Sequence, residues 1–254
     1  MIIANFKSNV VNFDRWAEDF INSCPPVMFN VGVALPSIYI TQYSLGIEHW
    51  PDEDNLENDF SRMAIGAQDV DHSSGSRTGA ISIEMLDEVG VEFVIIGHSE
   101  RREFFHEDND LIRKKIKAVD ESKIATTILC IGETKEENKM GATKDVLKNQ
   151  LSVIDGFDLG KNFTIAYEPV WAIGSGQTPE PKDINEIHKY IKDVVQSVST
   201  NNHVPDVLYG GSVTDKNAES FFNEEFVDGA LVGGASLDGT TFANIVNIWR
   251  ENII

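Results

Sequence analysis

The chain has 254 residues, 41% of them hydrophobic, which is enough for one sizeable core and is a common length for a single α/β barrel. Acidic residues outnumber basic ones by 41 to 21, so the net charge of -20 disfavours binding to nucleic acid or to anionic membranes. Cys24 and Cys130 lie far apart, which favours a reducing cytosol over a disulfide framework. With no basic leader and no run of 18 apolar residues, we expect a cytoplasmic protein without a membrane span.

Eight short apolar runs alternate along the chain with amphipathic or polar stretches. Most of the runs are nearly continuous, which is typical of strands that are covered on both faces in a parallel sheet. The predicted strands are 2–6, 28–35, 62–67, 92–97, 124–132, 163–168, 206–211 and 229–234.

Helical patterns lie between these strands. Residues 109–122 place an apolar face around Ile112, Lys115 and Ile116, and residues 181–198 carry an apolar stripe behind a start at Pro181 and Asp183. Strand followed by helix, about eight times without a linker, predicts the α/β class. We therefore expect a closed (β/α)8 barrel, a TIM barrel, in which residues 1–254 form a single domain.

The chemistry of such a barrel lies at the carboxyl ends of its strands, where ionisable residues recur. Lys7 follows the first strand, and it is either a surface lysine or a cation for an anionic ligand. His98 follows the fourth, where Ser99 can cap a short helix whose N-terminus would keep the imidazole neutral. The run Glu100-Arg101-Arg102 can equally be a solvated ion-pair cluster.

Glu168 ends the sixth strand, and a segment that could act as a lid follows it. Stiff residues come first and small, permissive ones come after, which is either an ordinary loop or a mobile cover. If the segment closes, apolar atoms around Glu168 would raise its pKa and make it a stronger base. The predicted lid consists of Pro169, Val170, Trp171, Ala172, Ile173, Gly174, Ser175 and Gly176.

Glycine pairs end the last two strands, at Gly210-Gly211 and Gly233-Gly234. Glycine lets backbone N–H groups approach an anion closely, and barrels often hold a phosphate at this place. The sequence has no cysteine nucleophile, no metal-ligand cluster and no dinucleotide fingerprint at these ends. It therefore predicts proton transfer with charge stabilisation, and neither a metal nor a cofactor.

Seven segments together resemble the triosephosphate isomerase family, in the family's order and over nearly the whole chain. "YEPVWAIG" and "GHSERR" are each highly specific for it. The seven are "ANFKSN", "GAQD", "IIGHSERR", "CIGET", "AYEPVWAIGSG", "LYGGSV" and "LVGGASL".

The resemblance implies the interconversion of dihydroxyacetone phosphate and glyceraldehyde 3-phosphate, in glycolysis and gluconeogenesis. It implies that Glu168 is the base and that His98 is the neutral electrophile, a pairing already known for this family. Lys7 would supply positive charge to the phosphate and the enediolate, and Glu100 would pair with Lys7 in a secondary role. The residues that would hold substrate are Asn5, Lys7, Gly174, Ser212, Gly233 and Gly234.

The resemblance also implies a homodimer, formed through the loop around Thr78. The chain departs from the family's pattern at three places, and the second and third bear on the dimer and on the lid. Asp69 replaces the usual asparagine after Gln68, and Ala80 replaces a glutamate that often makes a charged contact across the interface. Pro179 and Pro181, beyond the far end of the lid, should restrict the motion of its hinge.

Two other functions fit parts of the pattern. Another phosphate-binding barrel, a lyase or epimerase of sugar phosphates, would share the two glycine pairs without needing Lys7, His98 and Glu168 together. A barrel that has lost catalysis and serves in binding or adhesion would show decay at one of these three positions, and none is decayed.

Overall fold

The computed structural model describes residues 1–24, 30–46, 63–159, 163–173, 178–200 and 203–253. Its eight strands are parallel and pair in chain order, and the last pairs with the first to close a barrel. The strands are β1 Ile2–Asn5, β2 Val31–Leu35, β3 Ala64–Ala67, β4 Phe93–Ile96, β5 Thr126–Ile131, β6 Phe163–Tyr167, β7 Asp206–Tyr209 and β8 Gly229–Val232.

This architecture confirms the predicted (β/α)8 barrel, and each of the eight predicted runs contains one strand. The observed strands are shorter because each predicted run includes residues beyond the paired ladder, and residues 28, 29 and 62 lie outside the described residues. The assignment of residues 1–254 to a single domain stays a prediction.

Helices follow the strands around the outside of the barrel. Short 3-10 helices also occur at Ser152–Ile154, Val170–Ala172 and Gly234–Leu237. Within the described residues the α-helices are α1 Phe13–Ser23, α2 Ser37–Gly46, α3 Ile83–Glu88, α4 Ser99–Phe104, α5 Asn109–Asp120, α6 Lys135–Lys139, α7 Thr143–Leu151, α8 Pro181–Val198, α9 Ala218–Phe222 and α10 Gly239–Ile253.

The two helical patterns read from the sequence are confirmed as α5 and α8. In α8, Pro181 is the first helical residue and Asp183 lies in the first turn, where Pro and acidic residues suit the free N–H groups. In α5, Lys115 is buried together with its apolar neighbours Ile112 and Ile116. A buried ammonium needs compensating carboxylates, and these are described below.

Two apolar layers hold the barrel together. Inward-facing residues of the strands fill the interior, and outward-facing residues pack against the helices. Phe93 crosses the interior so closely to β3 that a Cβ on Gly66 would lie 2.1 Å from its ring. Gly66 is therefore required by packing, and the filled interior forces the chemistry to the strand ends.

Candidate active site

A cavity of about 440 Å³ lies at the carboxyl ends of the strands. It brings together residues that follow β1, β4, β6, β7 and β8, as the sequence predicted. Gly174 lies outside the described residues. The other predicted catalytic and substrate-binding residues all line the cavity: Asn5, Lys7, His98, Glu168, Ser212, Gly233 and Gly234.

Glu168 and His98 are in direct contact at the floor of this cavity. His98 Nε2 lies 2.9 Å from Glu168 Oε1, and the backbone N–H of Ser99 donates to Glu168 Oε2 at 2.9 Å. Both side chains are almost fully buried. The carboxylate therefore has both oxygens occupied in this conformation.

The prediction that Ser99 caps α4 is wrong. The cap is His98, whose Nδ1 accepts a hydrogen bond from the backbone N–H of Glu100 at 3.2 Å. Ser99 is the first helical residue, so its own N–H remains available for Glu168. With Nδ1 as an acceptor, the ring proton of the neutral tautomer lies on Nε2, which makes His98 a donor toward the cavity.

The two side chains shift each other's pKa. Burial alone would raise the pKa of Glu168, but His98 and the Ser99 N–H stabilise the carboxylate and hold its pKa below the ordinary value. Burial alone would lower the pKa of His98, but the Glu168 carboxylate raises it. The sequence predicted a raised Glu168 pKa for a closed lid. Such a rise requires Glu168 to break its contacts with His98 and the Ser99 N–H.

Lys7 reaches the cavity from an unusual backbone conformation. Its φ of 49° is left-handed, which is costly for a residue with a side chain and is often found at functional sites. Asn5 Oδ1 accepts the Lys7 N–H at 3.0 Å, and Gln68 Nε2 donates to the Lys7 carbonyl at 2.9 Å. The ammonium lies 2.6 Å from Glu100 Oε1, so the predicted pairing of these two residues is present.

The start of the predicted lid is anchored on both sides. Trp171 Nε1 donates to Glu133 Oε1 at 2.9 Å, and the Ser212 hydroxyl donates to the Ala172 carbonyl at 2.7 Å. Ile173 reaches the wall of the cavity. Gly174, Ser175 and Gly176 lie outside the described residues, so the tip of the lid remains a prediction.

The loop after β7 is shaped by a residue that sequence reasoning missed. Asn217 Oδ1 accepts from the Thr214 N–H at 2.7 Å, and its amide donates to the Ser212 carbonyl at 3.0 Å. Ser212 and Thr214 both line the cavity. An asparagine shortly after a Gly-Gly-Ser turn could have signalled this role, since its side chain commonly bonds nearby backbone.

Glu133 is a second residue that the sequence analysis passed over. It is fully buried after β5, and the Tyr167 hydroxyl donates to its Oε2 at 3.0 Å while Asn138 donates to its Oε1 at 3.1 Å. The "CIGET" segment contained it without indicating these contacts, because Tyr167 and Trp171 are distant from it in sequence.

Comparisons with known proteins agree on one family. The family described as Triosephosphate isomerase matches residues 1–249. The chain belongs to the triosephosphate isomerase family. Proteins of this family are intramolecular aldose–ketose isomerases, as the resemblance of the sequence implied.

Several relatives named triosephosphate isomerase align over most of both chains. The protein of Alkaliphilus metalliredigens is 45% identical over 193 residues, which cover 74% of this chain and 77% of the relative. That of Erwinia tasmaniensis is 41% identical over 221 residues, with coverages of 85% and 82%. That of Proteus mirabilis is 42% identical over 228 residues, with coverages of 87% and 84%.

Asp69, one of the departures from the pattern of triosephosphate isomerases, belongs to a network of ion pairs. Asp69 accepts from Lys115 Nζ at 2.6 Å and pairs with Arg101 at 2.8 Å, and Glu107 contacts both cations at 2.6 Å. A carboxylate at position 69 balances the second positive charge, which an asparagine could not do.

None of the described helices is long and apolar enough to cross a membrane. Across the described ranges there is no group of three or more His, Cys, Asp or Glu side chains that could hold a metal ion.

Proposed function

We propose that this chain is an active triosephosphate isomerase that interconverts dihydroxyacetone phosphate and D-glyceraldehyde 3-phosphate. One observation carries the proposal. Glu168, His98 and Lys7, a base, a hydrogen-bond donor and a cation, line the same cavity as the glycine pairs after β7 and β8. Such a set can move a proton between neighbouring carbons and stabilise the charge that develops.

Glu168 takes the proton from the carbon beside the carbonyl and returns it to the neighbouring carbon. To do so, it must leave His98 Nε2 and the Ser99 N–H, which now occupy its oxygens. Loss of these partners in a site closed to water removes the stabilisation of the carboxylate. Its pKa then rises, and Glu168 becomes a stronger base at the moment it faces substrate.

His98 acts on the oxygens of the substrate. Once Glu168 has moved away, the Nε2–H of the neutral ring is free to donate to the carbonyl and then to the enediolate. The Glu100 N–H on Nδ1 keeps the ring in this tautomer. The departure of the carboxylate also lowers the pKa of His98, which favours the neutral form during the reaction.

The phosphate and the enediolate carry negative charge that Lys7 opposes. The strained backbone of Lys7, held by Asn5 and Gln68, directs the ammonium into a fixed place. Backbone N–H groups of Gly174, Ser212, Gly233 and Gly234 bind the phosphate, and Asn5 lies beside Lys7 to hold oxygens. Glu100 orients Lys7 and is secondary.

The segment from Pro169 to Gly176 closes over the intermediate and excludes water. Exclusion of water protects a phosphate-bearing enediolate from losing its phosphate. The contacts of Trp171 with Glu133 and of Ala172 with Ser212 are present in the described conformation. They fix the root of the lid at Trp171 and Ala172.

We also propose that the protein is cytoplasmic and that it forms a homodimer through the loop around Thr78. Residues 74–79 of this loop are exposed, and Arg77 Nε, paired with Asp71 Oδ2 at 2.8 Å, stiffens its base. An exposed loop with a fixed base is suited to insertion into a second copy.

The test is isomerisation of dihydroxyacetone phosphate, followed by NMR in buffer that contains EDTA and no added cofactor. We expect glyceraldehyde 3-phosphate to form until equilibrium is reached. A cleaved or epimerised product would favour the lyase or epimerase. No turnover by folded protein would favour the non-catalytic barrel.

A further inference from the structure

The two neighbouring arginines of "GHSERR" have different surroundings. Arg101 pairs with Asp69 and Glu107, whereas the half-buried Arg102 turns beneath the ends of β4 and β5. Arg102 Nε donates to the Gly97 carbonyl at 2.9 Å. Its two terminal nitrogens donate to Asn109 Oδ1 at 3.0 Å and to the Cys130 carbonyl at 3.5 Å.

All three of these acceptors are neutral. Throughout the ranges that the structure describes, Arg102 has no carboxylate at ion-pair distance, unlike Arg101. A guanidinium placed in this way keeps an unneutralised positive charge inside the barrel end.

The backbone that Arg102 holds is the backbone that carries the catalytic pair. Gly97, whose φ is 72°, directly precedes His98, so the turn at Gly97 sets where the imidazole lies. Cys130 is on β5. Two residues further along the chain, Gly132 lies so close to the backbone that follows β6 that a Cβ on it would be 1.7 Å from the Glu168 carbonyl. Arg102 thus links the strand end below His98 to the strand that flanks Glu168.

Arg102 and Glu168 also line one cavity, so the charge of the guanidinium lies near the carboxylate. Burial lowers the pKa of the guanidinium, while Cys130, Glu168 and Glu107 raise it, which places all three within electrostatic range. The other groups that act on Glu168 or His98 are the thiol of Cys130, the ammonium of Lys7 and the carboxylate of Glu100.

We propose that Arg102 is a positioning residue for His98 and Glu168, which holds their strand ends in register and keeps a positive charge near the Glu168 carboxylate. The inference rests on the proposed function, because it assigns Arg102 a part in the same reaction. The hydrogen bonds of Arg102 and its charge can be tested separately, because Arg102→Lys keeps the positive charge but loses the set of guanidinium hydrogen bonds.

The experiment compares Arg102→Lys and Arg102→Gln with wild type in the pH dependence of kcat/KM. In the glutamine variant, loss of the charge should shift the acidic limb of the profile, where kcat/KM falls as pH drops, to a higher pH by about 0.5 unit or more. In the lysine variant the limb should stay in place. Loss of the bracing should lower kcat about tenfold in both variants, with KM within about twofold.

Arg113 offers a matched control, because its guanidinium also donates to two backbone carbonyls, of Val153 and Asp155, away from the cavity. Arg113→Gln should lower stability and leave kcat and the acidic limb unchanged. If Arg102→Gln behaves like Arg113→Gln, the inference is overturned.

A second readout needs no turnover. The ring nitrogens of His98 are titrated by NMR in wild type and in both Arg102 variants, and loss of the charge should raise the apparent pKa of the His98–Glu168 pair. If wild type is inactive but the His98 titration still shifts in Arg102→Gln, the proposed function is wrong and the electrostatic role of Arg102 stands. If the glutamine variant does not fold, an unchanged kcat in the lysine variant overturns the bracing role.

Discussion

At the scale of single residues, Glu168 shows how a buried carboxylate is kept ionised until it is needed. His98 and the Ser99 N–H lower its pKa, against the effect of burial. Gly210 lies beside it, and a Cβ there would lie 2.8 Å from Glu168 Cγ. The glycine leaves the side chain room to turn from its present partners toward a substrate.

His188 gives a residue-scale prediction about stability in acid. It is fully buried in α8, its Nδ1 lies 3.2 Å from the Phe226 carbonyl, and burial lowers its pKa to about 3. The folded pKa lies below the unfolded value, so the unfolded chain takes up the proton first and stability falls as pH drops from about 6.5 toward 3. The contribution is about 1.4 kcal/mol per pH unit.

Urea unfolding between pH 7 and pH 5 measures this slope. His188→Asn keeps a donor for the Phe226 carbonyl but cannot take up a proton, so its free energy of unfolding should fall less steeply with pH. The exposed His106→Asn is the control for loss of an imidazole. Equal slopes for His188→Asn and wild type would contradict the assignment.

At the scale of elements, the loop between β7 and α9 makes a prediction about binding. Asn217 brackets Ser212 and Thr214, so Asn217→Ala should loosen the proposed phosphate site. KM for triose phosphate and Ki for inorganic phosphate should rise about fivefold to tenfold, with kcat within about twofold. Asn217→Asp, which keeps only the acceptor, should fall between. Unchanged KM and Ki in the alanine variant would refute the proposal that Asn217 holds this loop in place.

The elements were largely predictable because their pattern is local. Strands covered on both faces read as apolar runs, and the stripe of α8 appeared with its starting proline. The cap of α4 was not predictable, because His98 and Ser99 can both accept from a backbone N–H and only the geometry at Gly97 decides between them.

The site was predictable in its members and less so in its contacts. Glu168, His98 and Lys7 stood at strand ends where the fold would gather them. The partners of Asp69, Glu133 and Arg102 were not visible, because each contacts residues far away in sequence. The burial of His188 was not visible for a different reason, because this polar residue lies on the apolar stripe of α8.

At the scale of the whole molecule, the proposed dimer is open to a direct measurement. Sedimentation equilibrium should give a mass twice the 28.2 kDa of the chain. Thr78→Arg should shift the protein toward the monomer, because a long cation at the exposed tip would obstruct insertion into a partner. Met140→Arg, at an exposed position elsewhere, should stay dimeric. A monomeric wild type would contradict the dimer.

The net charge of -20 makes the active-site end the place where an anionic substrate must find positive potential. Lys7 supplies it inside the cavity, and the charge of Arg102 lies behind it. Glu168 is the carboxylate that acts as a base in this cavity, beside donors that are cationic or neutral.

The most direct test of this central claim is the turnover of wild type and Glu168→Gln on glyceraldehyde 3-phosphate in a coupled assay. The glutamine keeps the shape of the side chain and cannot accept the proton. We predict a kcat about 10²–10⁴-fold lower in the variant, with KM within a few-fold and the fold intact. Turnover near the wild-type rate in Glu168→Gln would contradict the assignment of the base.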